Sequence, residues 1–249
     1  MKFISSGLLV LCVLCIKSCE NAQLPSYIQP CEYKDPKFES CVREQIVVSL
    51  PLFTKGIEVL GVPSIDPVKL DDINIDGNGL KLKFTGAELS GLGKSLVTDF
   101  KVNLEDEKFV LAFKCNMTLT AKYTIDGQIL ILPIRGKGDS KVKAQNLDVT
   151  ISSKMTHFKD DKGEHFKLVS PSYNYNIGRT KFEFQNLFNG NKQLSDATHA
   201  FANGNWRQIM DDLAPPVVKQ IVRTGVKSIN KFFAAVTIDQ IINGYSTSK

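Results

Sequence analysis

Long apolar runs are scarce in this 249-residue sequence, as are the residue types from which most catalytic and metal sites are built. Histidine occurs three times and tryptophan once. There is no G-x-S-x-G, H-E-x-x-H, P-loop or dinucleotide-binding pattern, so the common hydrolase, zinc-protease and nucleotide-binding chemistries have no foothold. No stretch approaches the about 20 apolar residues needed to span a bilayer. Neither sign of charge dominates: 31 basic against 26 acidic residues give a formal charge of +5. With no basic-aromatic cluster, that balance argues against a nucleic-acid binder. What remains is 43% hydrophobic and 23% charged, enough apolar residues for a sizeable core.

The N-terminal "MKFISSGLLVLCVLCIKSC" has Lys2, an apolar run from Gly7 to Ile16, then small and polar residues. That order is a secretory signal peptide, expected over residues 1–22 with cleavage after Ala22. Residues 23–249 are then one secreted, extracellular domain, expected to be a monomer. Cys12, Cys15 and Cys19 leave with the leader, and Cys31, Cys41 and Cys115 remain. In an oxidising compartment Cys31 and Cys41 can close a small loop. Cys115 is read as a buried thiol, and three cysteines give no metal site. Asn116-Met117-Thr118 is the sequence's one N-x-S/T acceptor for N-glycosylation.

The strongest pattern is "FVLAFKCNMTLTAKYTI", Phe109 to Ile125, which alternates throughout. Phe109, Leu111, Phe113, Cys115, Met117, Leu119, Ala121, Tyr123 and Ile125 share one face, and the other is mostly polar. Period two marks a strand with one buried face. At about 3.3 Å per residue it runs roughly 55 Å, about three times the usual strand. From Leu70 to Phe188 nearly everything else alternates or turns. Leu80, Leu82 and Phe84 share a face, as do Leu96, Phe100, Val102 and Leu104, and Phe182 and Phe184 close the series. The phase slips between Ala144 and Leu147, predicting a bulge near Asn146. "EDE", "DG", "GKGD", "DDKGE" and "IG" are read as the turns of an antiparallel meander.

Helical patterns flank the meander. Phe38 to Leu60 reads as a helix kinked at Pro51. Near the other end, one or two short helices are interrupted at Gly204, and Pro215 and Pro216 fit the first turn of a last helix. That helix has an apolar stripe from Val218 to Val236, with Lys219, Arg223, Lys227 and Lys231 opposite. The cations are read as a solvated face, with attraction to an anionic membrane surface as the second reading. The fold expected is α+β: a strongly curved antiparallel sheet of long strands around a long C-terminal helix, with a shorter N-terminal helix. Strands of this length must curl, leaving a tunnel. Its ligand-binding lining is expected to include Phe84, Phe100, Phe113, Met117, Tyr123 and Phe184, with Tyr123 orienting a ligand's polar group or bonding nearby backbone.

Three further motifs are weighed and set aside. "DINIDGNG" starts like a calcium loop, but Lys83 stands where a bidentate Glu is required, so a hairpin is expected. "GDS" at Gly138 to Ser140 looks like a lipase nucleophile block, yet nothing ties a His to Ser140. His157 continues an inward phase and is expected at a rim. No catalytic residue, metal or cofactor is expected.

"LPSYIQPCEYKDPKFESCV", "GIEVLGVPSIDPVKLDDINI", "YTIDGQILILPIRGKGDSKV" and "FQNLFNGNKQLSDATHAFANGNWRQIMDDLAPPV" together resemble the takeout and haemolymph juvenile-hormone-binding proteins of insects. The resemblance covers essentially all of residues 23–249. It implies a tubular lipid-binding fold and a secreted, non-enzymatic carrier of terpenoid hormones, fatty acids or other long apolar molecules. It also implies a Cys31–Cys41 bridge and matches Trp206 to a family aromatic, while Asn205 matches poorly. The second bridge of the hormone-binding branch has no partners here, and a Pro expected after "NKFF" is replaced by "AAV"; both favour the takeout-like branch. The alternative is a membrane-acting lipid-transfer protein of the same fold, using the basic helix face.

Overall fold

A computed structural model describes residues 24–246; the expected leader lies outside the described residues. The chain opens with β1 (Cys31–Glu32) and α1 (Phe38–Phe53). Short strands β2 (Val68–Lys69) and β3 (Ile73–Gly77) lead to β4 (Leu80–Ser90) and β5 (Leu96–Asn103). Three long strands follow: β6 (Lys108–Ile129), β7 (Leu132–Lys159) and β8 (Glu164–Phe184), of 22, 28 and 21 residues. Helices α2 (Lys192–Gly204), α3 (Trp206–Ala235) and α4 (Ile238–Ile241) and strand β9 (Ile242–Asn243) complete it. The antiparallel sheet runs β2-β4-β6-β7-β8, with β3 also on β4 and β5 on β6. The 30-residue α3 lies along it, packed chiefly on β8.

Alternation carries through β6 as expected: Cys115, Met117, Leu119, Ala121, Tyr123 and Ile125 are buried while Asn116, Thr120, Lys122 and Thr124 are exposed. The outer face pairs opposite charges in register, Lys114 with Asp148 and Lys122 with Asp139. Exposed pairs of this kind contribute at most about 1 kcal/mol each. The bulge forms where the phase slip places it. Gln145 and Asn146 together oppose Asn116, Asn146 takes a φ of 52°, and its N–H donates to Asn116 Oδ1 at 2.8 Å.

Several boundaries differ from the sequence expectation. "GKGD" and "IG" lie inside β7 and β8, and "DG" at Asp126-Gly127 lies inside β6. These glycines make room rather than turns: a Cβ on Gly138 would stand 2.6 Å from Gln185 O, and one on Gly136 2.8 Å from the Tyr123 hydroxyl. Helix α1 stops at Phe53, not Leu60, because Gly56 takes a φ of 93° and Glu58–Leu60 forms a separate 3-10 turn. Pro215 and Pro216 sit inside α3, where the buried Leu213 and Ala214 before them keep the helix on the core. Leu96 faces outward, 65% exposed, because a bulge at Thr98 shifts β5; Val97 takes the inward position.

The free edge of β8 is closed by side chains instead of a strand. Asn203 Oδ1 accepts from Phe182 N–H at 2.7 Å and its Nδ2 donates to Phe182 O at 3.2 Å. Asn230 grips Leu168 in the same way, both bonds 2.8 Å, and His199 Nε2 accepts from Phe184 N–H at 2.9 Å. An open strand edge is a template for unwanted pairing, and two helices here satisfy it point by point. His165 fastens the end of α3 to the β7–β8 hairpin. Fully buried, it has Nδ1 2.9 Å from Phe233 O and 2.8 Å from Val236 O, and Nε2 3.0 Å from Asp160 Oδ1. Carbonyls only accept, so Nδ1 carries a hydrogen. The Lys162 N–H, with His165 and the Gly163 N–H adding to it, holds the Asp160 carboxyl below its ordinary value.

The Cys31–Cys41 disulfide ties the first turn of α1 to β1, which pairs in parallel with β9. Such a closed loop typically stabilises by about 2–4 kcal/mol. Cys115 is buried and unpaired, and burial pushes its thiol up to about 11.

Two outcomes follow. His165→Ala leaves the Val236 and Phe233 carbonyls without their donor, the first of them buried, and should lower unfolding stability by about 2–3 kcal/mol in urea; a loss below about 0.5 kcal/mol would contradict the fastening role. At pH 8 native Cys115 should react with iodoacetamide on the order of 100-fold more slowly than in urea, measured by mass spectrometry; equal rates would show that it is not shielded.

Candidate functional site

The interior of the sheet is filled differently at its two ends. At one end Phe84, Tyr123 and Phe184 pack on one another: Phe184 stands 6.4 Å from the Phe84 ring and 4.7 Å from the Tyr123 ring. Ile125, Leu187, Ile209, Leu213 and Ala214 complete this core. The void left among them is about 10 Å³, room for no more than a water. At the other end α1, β5, β6, β7 and α3 surround a cavity of about 300 Å³. That is at the lower end of volumes that take a drug-sized ligand.

The cavity is long. Its wall follows β6 from Phe109 to Met117, about 26 Å at roughly 3.3 Å per residue. It follows α3 from Val218 to Phe233, about 22 Å at roughly 1.5 Å per residue. The cover is α1, whose Phe38, Val42, Ile46, Leu50 and Phe53 recur at helical spacing and all face the cavity. None of α1's residues is fully buried, as expected of a helix laid over a hollow rather than onto a filled core. Phe53 meets the Phe232 ring edge-on at 6.0 Å, joining the end of α1 to α3.

The polar groups in the wall are Gln29, Gln45, Ser49, Thr54, Ser95 and the Tyr175 phenol. Most of these are already engaged: Gln45 Oε1 accepts from Gln29 N–H at 2.8 Å, Thr54 donates to Pro51 O and Ser95 to Leu92 O. The Ser49 hydroxyl donates to Gln45 O at 2.6 Å but keeps a lone pair. The Gln45 amide keeps its Nε2 hydrogens. A small polar spot therefore sits in the cover, with the Tyr175 phenol on the sheet side of an otherwise greasy space.

Of the residues expected to line a tunnel, Phe100, Phe113 and Met117 stand in this wall. Phe84, Tyr123 and Phe184 do not, because their end of the sheet is closed by α2 and the first half of α3. The Tyr123 hydroxyl donates to Gln185 O at 2.7 Å, and burial pushes the phenol up to about 12. It is a satisfied core tyrosine. Gln45 and Ser49 were not singled out by the sequence, although the four-residue period of apolar positions in α1 places them beside the inward stripe.

The other motifs resolve locally. The Ser140 hydroxyl is buried in β7 and donates to Ala121 O at 2.9 Å. Asp72 pairs with Lys83 at 3.1 Å, while Asn74 and Asp76 are strand residues of β3. His157 is exposed near the end of β7, and His165, not His157, is the inward histidine of that hairpin. Trp206 opens α3 against the filled core, with the Arg207 guanidinium 4.7 Å from its ring centre.

Comparison with known proteins agrees with this architecture. The crystal structure of Epiphyas postvittana Takeout 1 superposes with a TM-score of 0.81 at 31% identity, covering 87% of this chain and all of that one. The circadian clock-controlled protein daywake of Drosophila melanogaster is 25% identical over 229 residues, 87% of each chain. A putative beta-carotene-binding protein of Schistocerca gregaria is 22% identical over 221 residues, 87% of this chain and 88% of its own. The pattern of the haemolymph juvenile hormone binding protein (JHBP) family matches residues 9–243, and the chain belongs to that family.

Proposed function

We propose that this protein is a secreted, non-enzymatic carrier that holds a long apolar molecule in the cavity between α1 and the sheet. The observation that carries this is the cavity itself: about 300 Å³ of unfilled space, long and apolar, in a protein whose other end is packed solid. A ligand burying about 300 Å² of apolar surface would gain roughly 7 kcal/mol before the costs of association. Terpenoids, fatty acids and carotenoid-like chains share that chemistry. The similarity to a family of juvenile-hormone binders and to a putative beta-carotene-binding protein supports the class without choosing among its members. Phe100, Phe113 and Met117 are proposed ligand contacts. Gln45 Nε2 and the Ser49 hydroxyl are proposed to orient the ligand's polar group.

The disulfide, the N-terminal leader pattern and the haemolymph setting in the family's name support secretion. Asn116 is exposed, and the bulge is held by its Oδ1, so a glycan on its amide nitrogen would leave the bulge intact.

Leu111 is half-buried and faces the cavity, so Leu111→Trp should fill space without breaking packing. Affinity for N-phenyl-1-naphthylamine, read by fluorescence, should fall about tenfold or more, with thermal unfolding little changed. Tyr123→Phe should do the reverse, keeping probe affinity and losing about 1 kcal/mol of stability. Unchanged binding in Leu111→Trp, or lost binding in Tyr123→Phe, would move the ligand site elsewhere. Protein secreted from insect cells should lose mass on glycosidase treatment, and Asn116→Gln should abolish that change.

A further inference from the structure

Helix α1 is apolar on two sides. Its inward stripe forms the cavity cover. Its outward face begins with Glu39, Ser40, Arg43 and Glu44 and then becomes Val47, Val48, Pro51 and Leu52, all exposed. Val48 is 54% and Leu52 41% exposed. Leu96, turned outward by the bulge in β5, lies alongside, since Arg43 of α1 reaches Val97 O at 3.4 Å. Val59, just past the helix, is 82% exposed. From Val47 onward α1 is therefore apolar on both its inward and outward sides, which suits apolar surroundings on each.

We infer that this outward face seats on the surface of a lipid bilayer containing anionic lipid, with α1 in the interfacial plane. The inference rests on the carrier reading above and names where its ligand is exchanged. Three observations support it. First, the helix that bears the patch is also the cavity cover, so docking brings the cavity within about one helix diameter, roughly 10 Å, of the acyl boundary. Second, the surroundings are rich in cations. Arg43, Lys55 and Lys94 flank the patch, and Lys227 and Lys231 are exposed on the half of α3 that Phe53 meets. Among the described residues none of Lys219, Arg223, Lys227 and Lys231 has an ion-pair partner, whereas Lys83, Lys114, Lys122 and Lys154 on the sheet all have one. Glu39, Glu44 and Glu58 lie nearby, three acids against these five cations, and dilute the field without reversing it. Third, five or six exposed side chains offer a few hundred Å², short of the about 800 Å² per partner that a stable protein dimer buries. A bilayer needs no such matched area.

The test uses the full mature chain and sedimentation with phosphatidylcholine vesicles, with and without phosphatidylserine. The bound fraction should rise with phosphatidylserine and fall with salt. The double substitution Val48→Ser, Leu52→Ser should weaken vesicle binding about tenfold while leaving affinity for N-phenyl-1-naphthylamine unchanged. Leu96→Ser, on a different element, should weaken it in the same direction should the double variant fold poorly. Lys227→Glu with Lys231→Glu should reduce the phosphatidylserine-dependent part. No vesicle binding by the parent chain, or unchanged binding by both apolar variants, overturns the inference. So does a dimer, detected by light scattering, that these substitutions dissociate. Vesicle binding without probe uptake would sink the carrier reading and leave the membrane face standing.

Discussion

The apolar face of the long strands is the constraint on which the rest depends. In β6 alone the inward side chains run from Phe109 to Ile129, and each must be kept from water. A flat sheet of such strands would expose that face over tens of ångströms. The sheet bends instead, helped by bulges at Thr98 and at Gln145–Asn146, and α3 takes the space inside the curve. One helix cannot fill the interior along its whole length. Where α2 and the segment just after β8 add Ala202 and Leu187, the interior is solid. Where α1 is the other cover, the interior stays open.

That difference in filling explains how one sheet provides both stability and a binding space. Phe84, Tyr123, Phe184 and their neighbours form a conventional packed core able to anchor the strands. The cavity end is held from outside its wall. The disulfide secures the start of α1, Asn230 and His165 fix α3 against β8 and the hairpin, and the β1–β9 pair joins the segment before α1 to the one after α4. Hydrogen bonds and a covalent link hold the frame there, so the cavity need not collapse to make the fold stable.

Much of this was legible in the sequence because two-residue periodicity depends on local geometry alone. The alternation from Phe109 to Ile125, the slip near Asn146 and the helical stripe of α3 all follow from which residues can face oil and which water. The misreadings have a common origin. Gly136, Gly138 and Gly178 look like turn markers, yet they sit within strands because a neighbouring segment passes too close for a side chain. Leu96 reads as inward until an extra residue shifts its strand. Phe84, Tyr123 and Phe184 belong to the same inward face as Phe100, Phe113 and Met117. Which half of that face is filled is decided by α1, α2 and α3 arriving from distant parts of the chain, and periodicity carries no record of that. For the same reason Gln45 and Ser49 look like ordinary polar residues of a surface helix.

The most direct measurement is a crystal structure of the protein purified from its native secretion without organic solvent. Continuous apolar density is expected between the inward face of α1 and the β6–β7 wall, beginning near Gln45 and running past Phe113 toward Met117. Side chains of α1, β6 and α3 in mutual contact, with no space between them, would contradict the cavity as a binding site.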